Sequence, residues 1–409
     1  MALIQNDAVV LGLLFMVLGL VFYSEKHPKF QKFYQYVPSL LLCYFIPGLL
    51  NSFGVIDGEH SKLYFVASRY LLPSTLVLLT MSVDLPEILK LGPKAIIMFL
   101  TGTFGIIIGG PLAILFTTTF FPDMVSEIGS DGLWRGMTTV AGSWIGGGAN
   151  QASMKEIFQV PNEVFSLMVV IDILVANVWM AILLILAARS KSIDAKIGAD
   201  TSSIERLKAK IENYQLKNEV IPSGHQIMLI CALAFTVTGL SHFLSDNIAP
   251  FIKTNAPSLA KFSLTSGFFW LIVIATSIGV ILSFTPAKKM ENYGASKIGN
   301  VMLYILIASI GMHMNIFEIF KQPGLFVIGF VWMLIHAILM LGVGRLIKAP
   351  LFFIAVGSQA NVGGAASAPV VASFFHPSLA SVGVLLAVLG YVLGTYGAWI
   401  CGQLMRMVS

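Results

Sequence analysis

The chain has 409 residues, of which 56% are hydrophobic and only 11% are charged, and its formal net charge is +5. A soluble domain carries about 25% charged residues, so this composition excludes a water-soluble globular protein and makes lipid the main solvent. No basic patch interleaved with aromatic residues supports nucleic-acid binding. Three cysteines, Cys43, Cys231 and Cys401, lie in apolar runs without zinc-ligand spacing, which indicates small core residues.

The first apolar run, 8–24, has no Lys or Arg before it and is followed by Lys26, Lys29 and Lys32. A secretory signal has a basic segment before its apolar core, so this order argues against a cleaved signal peptide. Because positive residues collect on the cytoplasmic side, the order predicts a first helix whose N-terminus lies outside. We therefore expect a multi-pass protein of a bacterial cytoplasmic (inner) membrane.

Ten apolar runs are long enough to cross a bilayer as a helix, which takes about 20 residues. They predict crossing helices at 8–24, 35–53, 63–82, 95–121, 164–188, 225–244, 264–284, 299–314, 324–347 and 379–404. The polar stretch 189–222 divides the chain into an N-terminal repeat, 1–188, and a C-terminal repeat, 223–409. We predict that this stretch is a cytoplasmic linker with an amphipathic helix at Ile204–Leu216.

Two further apolar segments, 134–158 and 350–375, are interrupted at their centres by glycine-rich sequences. The first contains GGGANQ at 146–151, and the second contains GGAAS at 363–367. Each half of each segment has only about ten residues, too few to cross a bilayer as a helix. Each segment therefore either folds back as a re-entrant hairpin or crosses as a helix that unwinds in mid-membrane.

The two halves of the chain resemble each other, with matching segments in the same order. The sequence MSVDLPEILKLGP at 81–93 matches MHMNIFEIFKQPG at 312–324, and GSWIGGGANQAS at 142–153 matches GSQANVGGAASAP at 357–369. Internal repeats of this kind generate the two-fold symmetry of many transporters. The pattern predicts a duplicated membrane protein.

The number of crossings decides how the two halves are oriented. If the broken segments crossed the membrane, the basic linker would lie outside, contrary to the positive-inside rule. If they re-enter, each half has five crossings, the halves are inverted, and the loops with Lys90, Lys94, Lys288 and Arg345 join the linker in the cytoplasm. We therefore predict an all-α membrane protein of two inverted five-helix repeats, with about ten transmembrane helices and two glycine-broken elements.

Broken backbone inside lipid predicts a binding site, because unpaired backbone N–H and C=O groups are costly in hydrocarbon. Glycine permits a tight turn, and opened half-helices offer N–H groups to anions and carbonyls to cations. The alternative is close helix packing by small residues. Amide and hydroxyl groups beside both breaks favour a site, and the candidate substrate ligands are Ser143, Gly147, Asn150, Gln151, Ser358, Gln359, Asn361, Gly363, Gly364 and Ser367.

Ionisable residues within the predicted spans are further candidates, because charge is expensive there. Asp172 is a candidate for ion coupling, with Asn177 in the same helix and with Asn150 and Asn361 as oxygen ligands for a hard cation. Arg69 has a fork-shaped side chain that suits a substrate carboxylate, and it is equally suited to reach the membrane interface. These residues extend the predicted site beyond the glycine breaks.

The motifs GSWIGGGANQASMKEIF and GSQANVGGAASAP resemble the bacterial YjcL-like membrane proteins, a family of unknown function, over nearly the whole chain. The architecture is similar to a wider group of cation/proton antiporters, bile-acid symporters, and sodium-coupled glutamate and citrate symporters. That resemblance implies a scaffold of helices and a transport domain that slides like an elevator. The glycines at 146–148 and 363–364 only approximate the motifs of the carboxylate symporters, and the paired acidic residues of proton antiporters are missing.

These features favour a secondary active transporter over an enzyme: a sodium- or proton-coupled symporter of an amino acid, a dipeptide or a carboxylate. No GxxxxGK[ST] motif for ATP is present, and we expect no cofactor beyond Na⁺ or H⁺ as the coupling ion. A cation/proton antiporter or exporter that uses Asp172 is the main alternative. A passive channel and an intramembrane serine protease built on Ser367 and His336 are further alternatives, and a homodimer is compatible with this type of scaffold.

Overall fold

The computed structural model describes residues 3–34, 37, 39–58, 60–122, 129–202, 204–205, 222–313, 324–376 and 379–409. These residues are almost entirely α-helical, and the strand-like pairing among them is a single isolated bridge between Ile4 and Ile56. The predicted all-α class is therefore confirmed. Most of the predicted amphipathic helix Ile204–Leu216 and most of the repeated sequence at 312–324 lie outside the described residues.

Thirteen principal helices occur in this part of the chain. In chain order they are α1 (Asp7–Lys26), α2 (Ser39–Ser52), α3 (Leu63–Met81), α4 (Pro93–Phe120), α5 (Gly129–Ile157), α6 (Asn162–Ala187), α7 (Gly224–Asn255), α8 (Gly267–Ser283), α9 (Ala295–Gly311), α10 (Gly324–Leu346), α11 (Leu351–Val362), α12 (Gly364–Phe375) and α13 (Ala380–Val408).

Seven helices in the described residues are long and apolar enough to cross a membrane: α1, α3, α4, α6, α7, α10 and α13. The number rises to nine if α2 and α8 are each counted together with the short bent helix beside them. Helix α9 has 17 residues and is apolar but shorter. A multi-pass membrane protein is therefore confirmed, whereas the tenth crossing stays a prediction.

One helix is much longer than its predicted span. The predicted span 225–244 is the first part of α7, which has 32 residues and continues to Asn255. Its start is fixed by a capping box, in which Ser223 and Gln226 bond each other's backbone N–H groups. The prediction stopped early because the apolar run ends near Ser245, while the helix itself continues through more polar residues.

The helices form two groups according to their contacts. The first group contains α1, α2, α3, α7, α8 and α9, and the second contains α4, α5, α6 and α10–α13. Close packing within the first group depends on small residues, since a methyl group at Gly299 of α9 would lie 3.2 Å from the Leu78 Cβ of α3. The two groups meet where α13 and α5 pack on α3 and α8.

Helix α5 is not straight but folds back on itself, and we call it hairpin one. The Arg135 Nη1 donates to the Phe158 carbonyl at 2.7 Å, although 23 residues of straight helix would separate them by about 35 Å. Nearer the tip, a methyl group at Gly142 would lie 2.6 Å from the Asn150 carbonyl oxygen. The turn is at Gly147, whose φ of 72° and ψ of −175° interrupt the helix.

Helices α11 and α12 form a second such structure, which we call hairpin two. The rings of Phe352 and Phe375 have centroids 5.4 Å apart at its base, and the Gln359 Nε2 donates to the Ser367 Oγ at 2.7 Å near its tip. The turn is at Gly364, whose φ is 59°. Both broken segments thus have the folded-back form rather than that of continuous crossing helices.

The two hairpins open toward opposite faces of the protein. The terminal face holds the base of hairpin one, where the guanidinium of Arg406, near the C-terminus, lies 5.7 Å from the Trp134 ring centroid. The linker face holds the base of hairpin two, where the Lys94 Nζ donates to the Lys348 carbonyl at 2.8 Å. Helix α4 has 28 residues, about 42 Å, and runs from Lys94 on the linker face to the terminal face.

The folded-back form of hairpin two is testable by cross-linking. In a variant whose native cysteines are replaced by alanine, we expect Phe352→Cys and Phe375→Cys to be joined by a short bis-maleimide. The matched control pair is Lys94→Cys with Thr117→Cys, which has the same separation in sequence but lies in the continuous helix α4. The linked peptides are identified by mass spectrometry after digestion, and a hairpin pair as unreactive as the control pair would contradict this fold.

Candidate functional site at the hairpin tips

The tips of the two hairpins touch each other inside the second group. A methyl group at Gly364 would lie 4.0 Å from the Gly147 Cα. Both glycines have positive φ angles, 72° for Gly147 and 59° for Gly364, a region that residues with a Cβ rarely adopt. The predicted glycine breaks therefore come together at one place, although they are 217 residues apart in the sequence.

Asn150 holds the tip of hairpin one against α13. Its Nδ2 donates to the carbonyls of Gly146, at 2.9 Å, and Tyr391, at 3.4 Å, and its Oδ1 accepts from the Thr395 hydroxyl at 2.6 Å. Because Asn150 is fully buried, these bonds satisfy both hydrogens of its amide and one lone pair of its oxygen. A methyl group at Gly394 would lie 2.5 Å from that Nδ2, so glycine makes room for the amide.

Asn361 holds hairpin two against α4 in the same manner. Its Nδ2 donates to the carbonyls of Phe99 and Gly357, at 2.9 and 3.0 Å, and its Oδ1 accepts from the Thr103 hydroxyl at 2.7 Å. A methyl group at Gly102 would lie 2.8 Å from the Nδ2. Each asparagine is thus held by a glycine–threonine pair on a long helix, and in this arrangement both amides anchor hairpins.

Asp172 of α6 lies behind hairpin one and has only neutral partners. Its Oδ1 accepts from the Trp144 Nε1 at 2.7 Å and its Oδ2 from the Gln151 Nε2 at 3.0 Å, with the Ser143 hydroxyl as a further hydrogen-bonding neighbour. The side chain is buried, and no Lys, Arg or His of the described residues forms an ion pair with it. A buried carboxylate without a cationic partner favours binding of a proton or a cation.

Gln151 connects Asp172 to the first helix group. Its Oε1 accepts from the hydroxyl of Tyr44, on α2, at 3.4 Å, while its Nε2 donates to Asp172. All three side chains are buried. A change in the charge of Asp172 therefore acts on a side chain that also contacts the neighbouring group.

Hairpin two carries further polar side chains near its tip. The Ser358 hydroxyl accepts from the Trp179 Nε1 at 2.8 Å and lies 2.7 Å from the His336 Nε2. The Gln359 Nε2 donates to Ser367, whereas the Gln359 Oε1 is buried without a hydrogen-bond partner in the described residues. A buried amide oxygen that lacks a partner is costly, so it is an available ligand for a donor or a cation.

Two predicted site residues lie elsewhere. The Arg69 Nη1 donates to the Glu156 Oε2 at 2.8 Å, and Glu156 lies nine residues beyond the tip glycine Gly147, about 13 Å along the arm. The Asn177 Nδ2 donates to the Ile173 carbonyl of its own helix. The tip residues and Asp172 are thus brought together, whereas Arg69 belongs to the base of hairpin one.

Sequence reasoning missed the partners of the tips. Thr103 and Thr395 give hydrogen bonds to the predicted residues, yet each stands in an apolar helix with no motif of its own. Trp144 lies within the first glycine motif but was not predicted as a partner of Asp172. The repeated dipeptides Gly102-Thr103 and Gly394-Thr395 were the available signal, but such pairs are common in membrane helices. No group of three or more His, Cys, Asp or Glu side chains able to hold a metal ion occurs in the described part of the chain.

Comparison with known proteins identifies the family. Residues 12–408 match the family described as Protein of unknown function (DUF819), and the chain therefore belongs to that family. It is also similar to the Uncharacterized membrane protein YjcL of Bacillus subtilis (strain 168), with 24% identity over 364 residues, which cover 85% of each chain. The predicted resemblance to YjcL-like proteins is confirmed.

The threonine anchors are testable by their effect on stability. We expect Thr395→Val and Thr103→Val each to destabilise the protein by about 1–3 kcal/mol, because each leaves a buried amide oxygen unsatisfied. Thr117→Val is the matched control, since Thr117 is fully buried but bonds only to the Ala113 carbonyl of its own helix. The measurement is the midpoint of thermal unfolding in detergent, and equal midpoints for all three variants would argue against the anchors.

Proposed function

We propose that this member of the DUF819 family is a secondary active transporter of a small polar or anionic organic solute, coupled to sodium or protons. The observation that carries the proposal is the meeting of two hairpin tips, from opposite faces, beside buried polar side chains. These include the carboxylate of Asp172, which has no cationic partner in the described part of the chain. Irregular backbone deep in a membrane protein persists where it is buried in protein or lines a water-filled cavity. Meeting points of this kind are where transporters bind solutes and ions.

The order of the elements supports two inverted repeats. Each half has three helices, a fourth helix beside the hairpin, the hairpin itself, and a final long helix. The hairpins open toward opposite faces, as inversion requires. We propose that the linker face is cytoplasmic and the N-terminus is outside, because Lys90, Lys94, Lys288 and Lys348 lie at the linker face.

The two helix groups support an elevator mechanism. The first group takes the first three helices of each half, and the second takes the remaining helices together with both hairpins. In the proposed cycle the second group carries the solute as it slides along the first, which acts as the scaffold. Such a division needs no large rearrangement within either group, because the groups would slide past each other as units.

The solute would bind where the hairpin tips meet. The arms that begin after Gly147 and at Gly364 direct backbone N–H groups toward this point, and such helix starts favour a carboxylate. The hydroxyl of Ser367 and the unpaired Gln359 Oε1 are the nearest polar groups of hairpin two with unused capacity. For sodium, the proposed ligands are backbone carbonyls at the breaks together with amide oxygens.

Asp172 is the proposed coupling residue, and it also supports the second candidate function. An antiporter or exporter would use the same carboxylate to carry a proton or a cation. The two functions differ in their dependence on a solute: a symporter requires solute and ion together, whereas an antiporter exchanges cations without a solute. The sequence lacks the paired acidic residues of proton antiporters, and this difference favours symport.

The first test is a thermal-shift screen of the purified protein against small organic acids, with and without sodium. A solute that binds the folded state stabilises it by mass action, by about 2.7 kcal/mol at 100 times its dissociation constant, and so raises the temperature of the unfolding midpoint. We expect a sodium- or pH-dependent hit that Gly147→Leu and Gly364→Leu abolish, because their positive φ angles exclude a side chain. The control is Gly342→Leu, which has open space around it. A hit that survives both tip variants would count against the site.

The second test is transport in proteoliposomes with Asp172→Asn. We expect the variant to fold but to lose the dependence of uptake on the ion gradient, because asparagine keeps an acceptor for Trp144 and removes the charge. Solute uptake that remains gradient-dependent in this variant would exclude Asp172 as the coupling residue. Cation exchange without any solute in the unmodified protein would favour the antiporter.

A further inference from the structure

Glu156 lies at the base of hairpin one, on the terminal face, and is held by α3. The Arg69 Nη1 donates to its Oε2 at 2.8 Å, and the Tyr64 hydroxyl donates to its Oε1. The Lys155 Nζ donates to the Tyr64 hydroxyl at 2.9 Å and lies 3.8 Å from the Glu156 Oε1. Three side chains of donor character thus surround one carboxylate at the interface between the two helix groups.

A π-helical turn in α3 builds this site. Tyr64 and Arg69 are five residues apart, which in a regular α-helix would put them about 140° apart around the axis. Residues Ala67–Leu71 form a π-helical turn instead, and this wider turn brings both side chains to Glu156. The His242 Nε2 of α7 donates to the Arg69 carbonyl at 2.8 Å, and π-turns of this kind occur frequently at functional sites.

A cavity of about 390 Å³ lies beside the carboxylate. That volume lies within the range of small-molecule pockets, about 300–1,000 Å³. Its polar lining includes Arg69, Lys155, Glu156, Gln159 and Asn162. The Arg69 guanidinium also lies 4.4 Å from the ring centroid of Phe268, on α8, so both helix groups form the walls.

The donors around the cavity are only partly used. A guanidinium has five N–H groups and an ammonium has three, and the bonds described above use one from Arg69 and one from Lys155. Two carboxylates oppose these cations: Glu156, whose two oxygens both accept bonds, and Glu163, at the start of α6, which acts on Lys155 without lining the cavity. Because the negative charge of Glu156 repels a second carboxylate beside it, a ligand carboxylate would bind Arg69 in place of Glu156.

We propose that this cavity binds a small organic carboxylate, and that Glu156 occupies its binding groups as an internal competitor. Exchange of Glu156 for the ligand frees the base of hairpin one from α3. This cavity is then the entry site, on the terminal face, for the class of solute that the proposed transporter carries, and in that respect its role rests on the proposed function. Arg69 and Lys155 are the residues that attract the carboxylate.

The test is calorimetric titration of the purified protein with succinate, with the uncharged succinamide as the control ligand. Removing the competitor strengthens binding, so we expect Glu156→Gln to tighten the succinate dissociation constant by about tenfold or more. Arg69→Gln should abolish this binding, and succinamide should bind to none of the variants. Unchanged or weaker succinate binding by a folded Glu156→Gln variant overturns the proposal.

A second measurement uses the unmodified protein, in case Glu156→Gln folds poorly. Phenylglyoxal modifies accessible arginines, and the Arg69 side chain is 29% exposed. We expect succinate, but not succinamide, to slow modification of Arg69, as followed by mass spectrometry. Modification that proceeds equally fast with and without succinate overturns the proposal.

Gly364→Leu separates this inference from the proposed function. Succinate binding that survives Gly364→Leu and is lost with Arg69→Gln supports the cavity on the terminal face. Binding that is lost with Gly364→Leu but unchanged by Arg69→Gln belongs to the hairpin tips. That result overturns the entry site and leaves the proposed transporter standing.

Discussion

Every backbone N–H and C=O group that leaves a helix deep inside a membrane protein must find a partner, because hydrocarbon supplies none. Two hairpins end in the middle of this protein, and each gives up regular hydrogen bonds around its tip glycine. Asn150 donates to the Gly146 carbonyl beside one break, and Asn361 donates to the Gly357 carbonyl in the first arm of hairpin two. The hydroxyls of Thr395 and Thr103 donate to the oxygens of the two amides. Both hydroxyls come from long helices of the second group, Thr103 from α4 and Thr395 from α13.

The same requirement explains why the candidate ligands divide into two kinds. The amide groups of Asn150 and Asn361 already form hydrogen bonds that hold the hairpins in place, so their role in this arrangement is structural. Asp172 and Gln359 are different: among the described residues, the buried carboxylate of Asp172 has no cationic partner and the buried Oε1 of Gln359 has no hydrogen-bond donor. A ligand that supplies the missing hydrogen bond or opposite charge to such a buried group gains binding energy from that contact.

The sequence predicted the helices and the broken segments well, and it predicted their surroundings poorly. Apolar length located α1, α4 and α6 within two residues at each end, because lipid imposes that length directly. Glycine clusters identified both hairpins, since few other residues permit those turns. The partners of the tips could not be predicted, because contacts such as Thr103 with Asn361 join residues 258 positions apart. The position of Arg69 could not be predicted for a similar reason, as its partner Glu156 is 87 positions away.

Bond lengths at the interface between the two groups bear on how the groups could move. Besides the contacts around Glu156, three hydroxyl contacts of the described residues cross it: Tyr44 to Gln151 at 3.4 Å, Thr276 to Thr395 at 3.3 Å and Ser277 to Tyr396 at 2.7 Å. The two buried contacts are longer than the usual 2.7–2.8 Å of O–H···O bonds, whereas the exposed contact of Ser277 has the usual length. A charged pair also crosses the interface at the terminal face, between Arg69 and Glu156. In the proposed sliding motion all these contacts would break, and water or a competing anion would have to replace the charged pair.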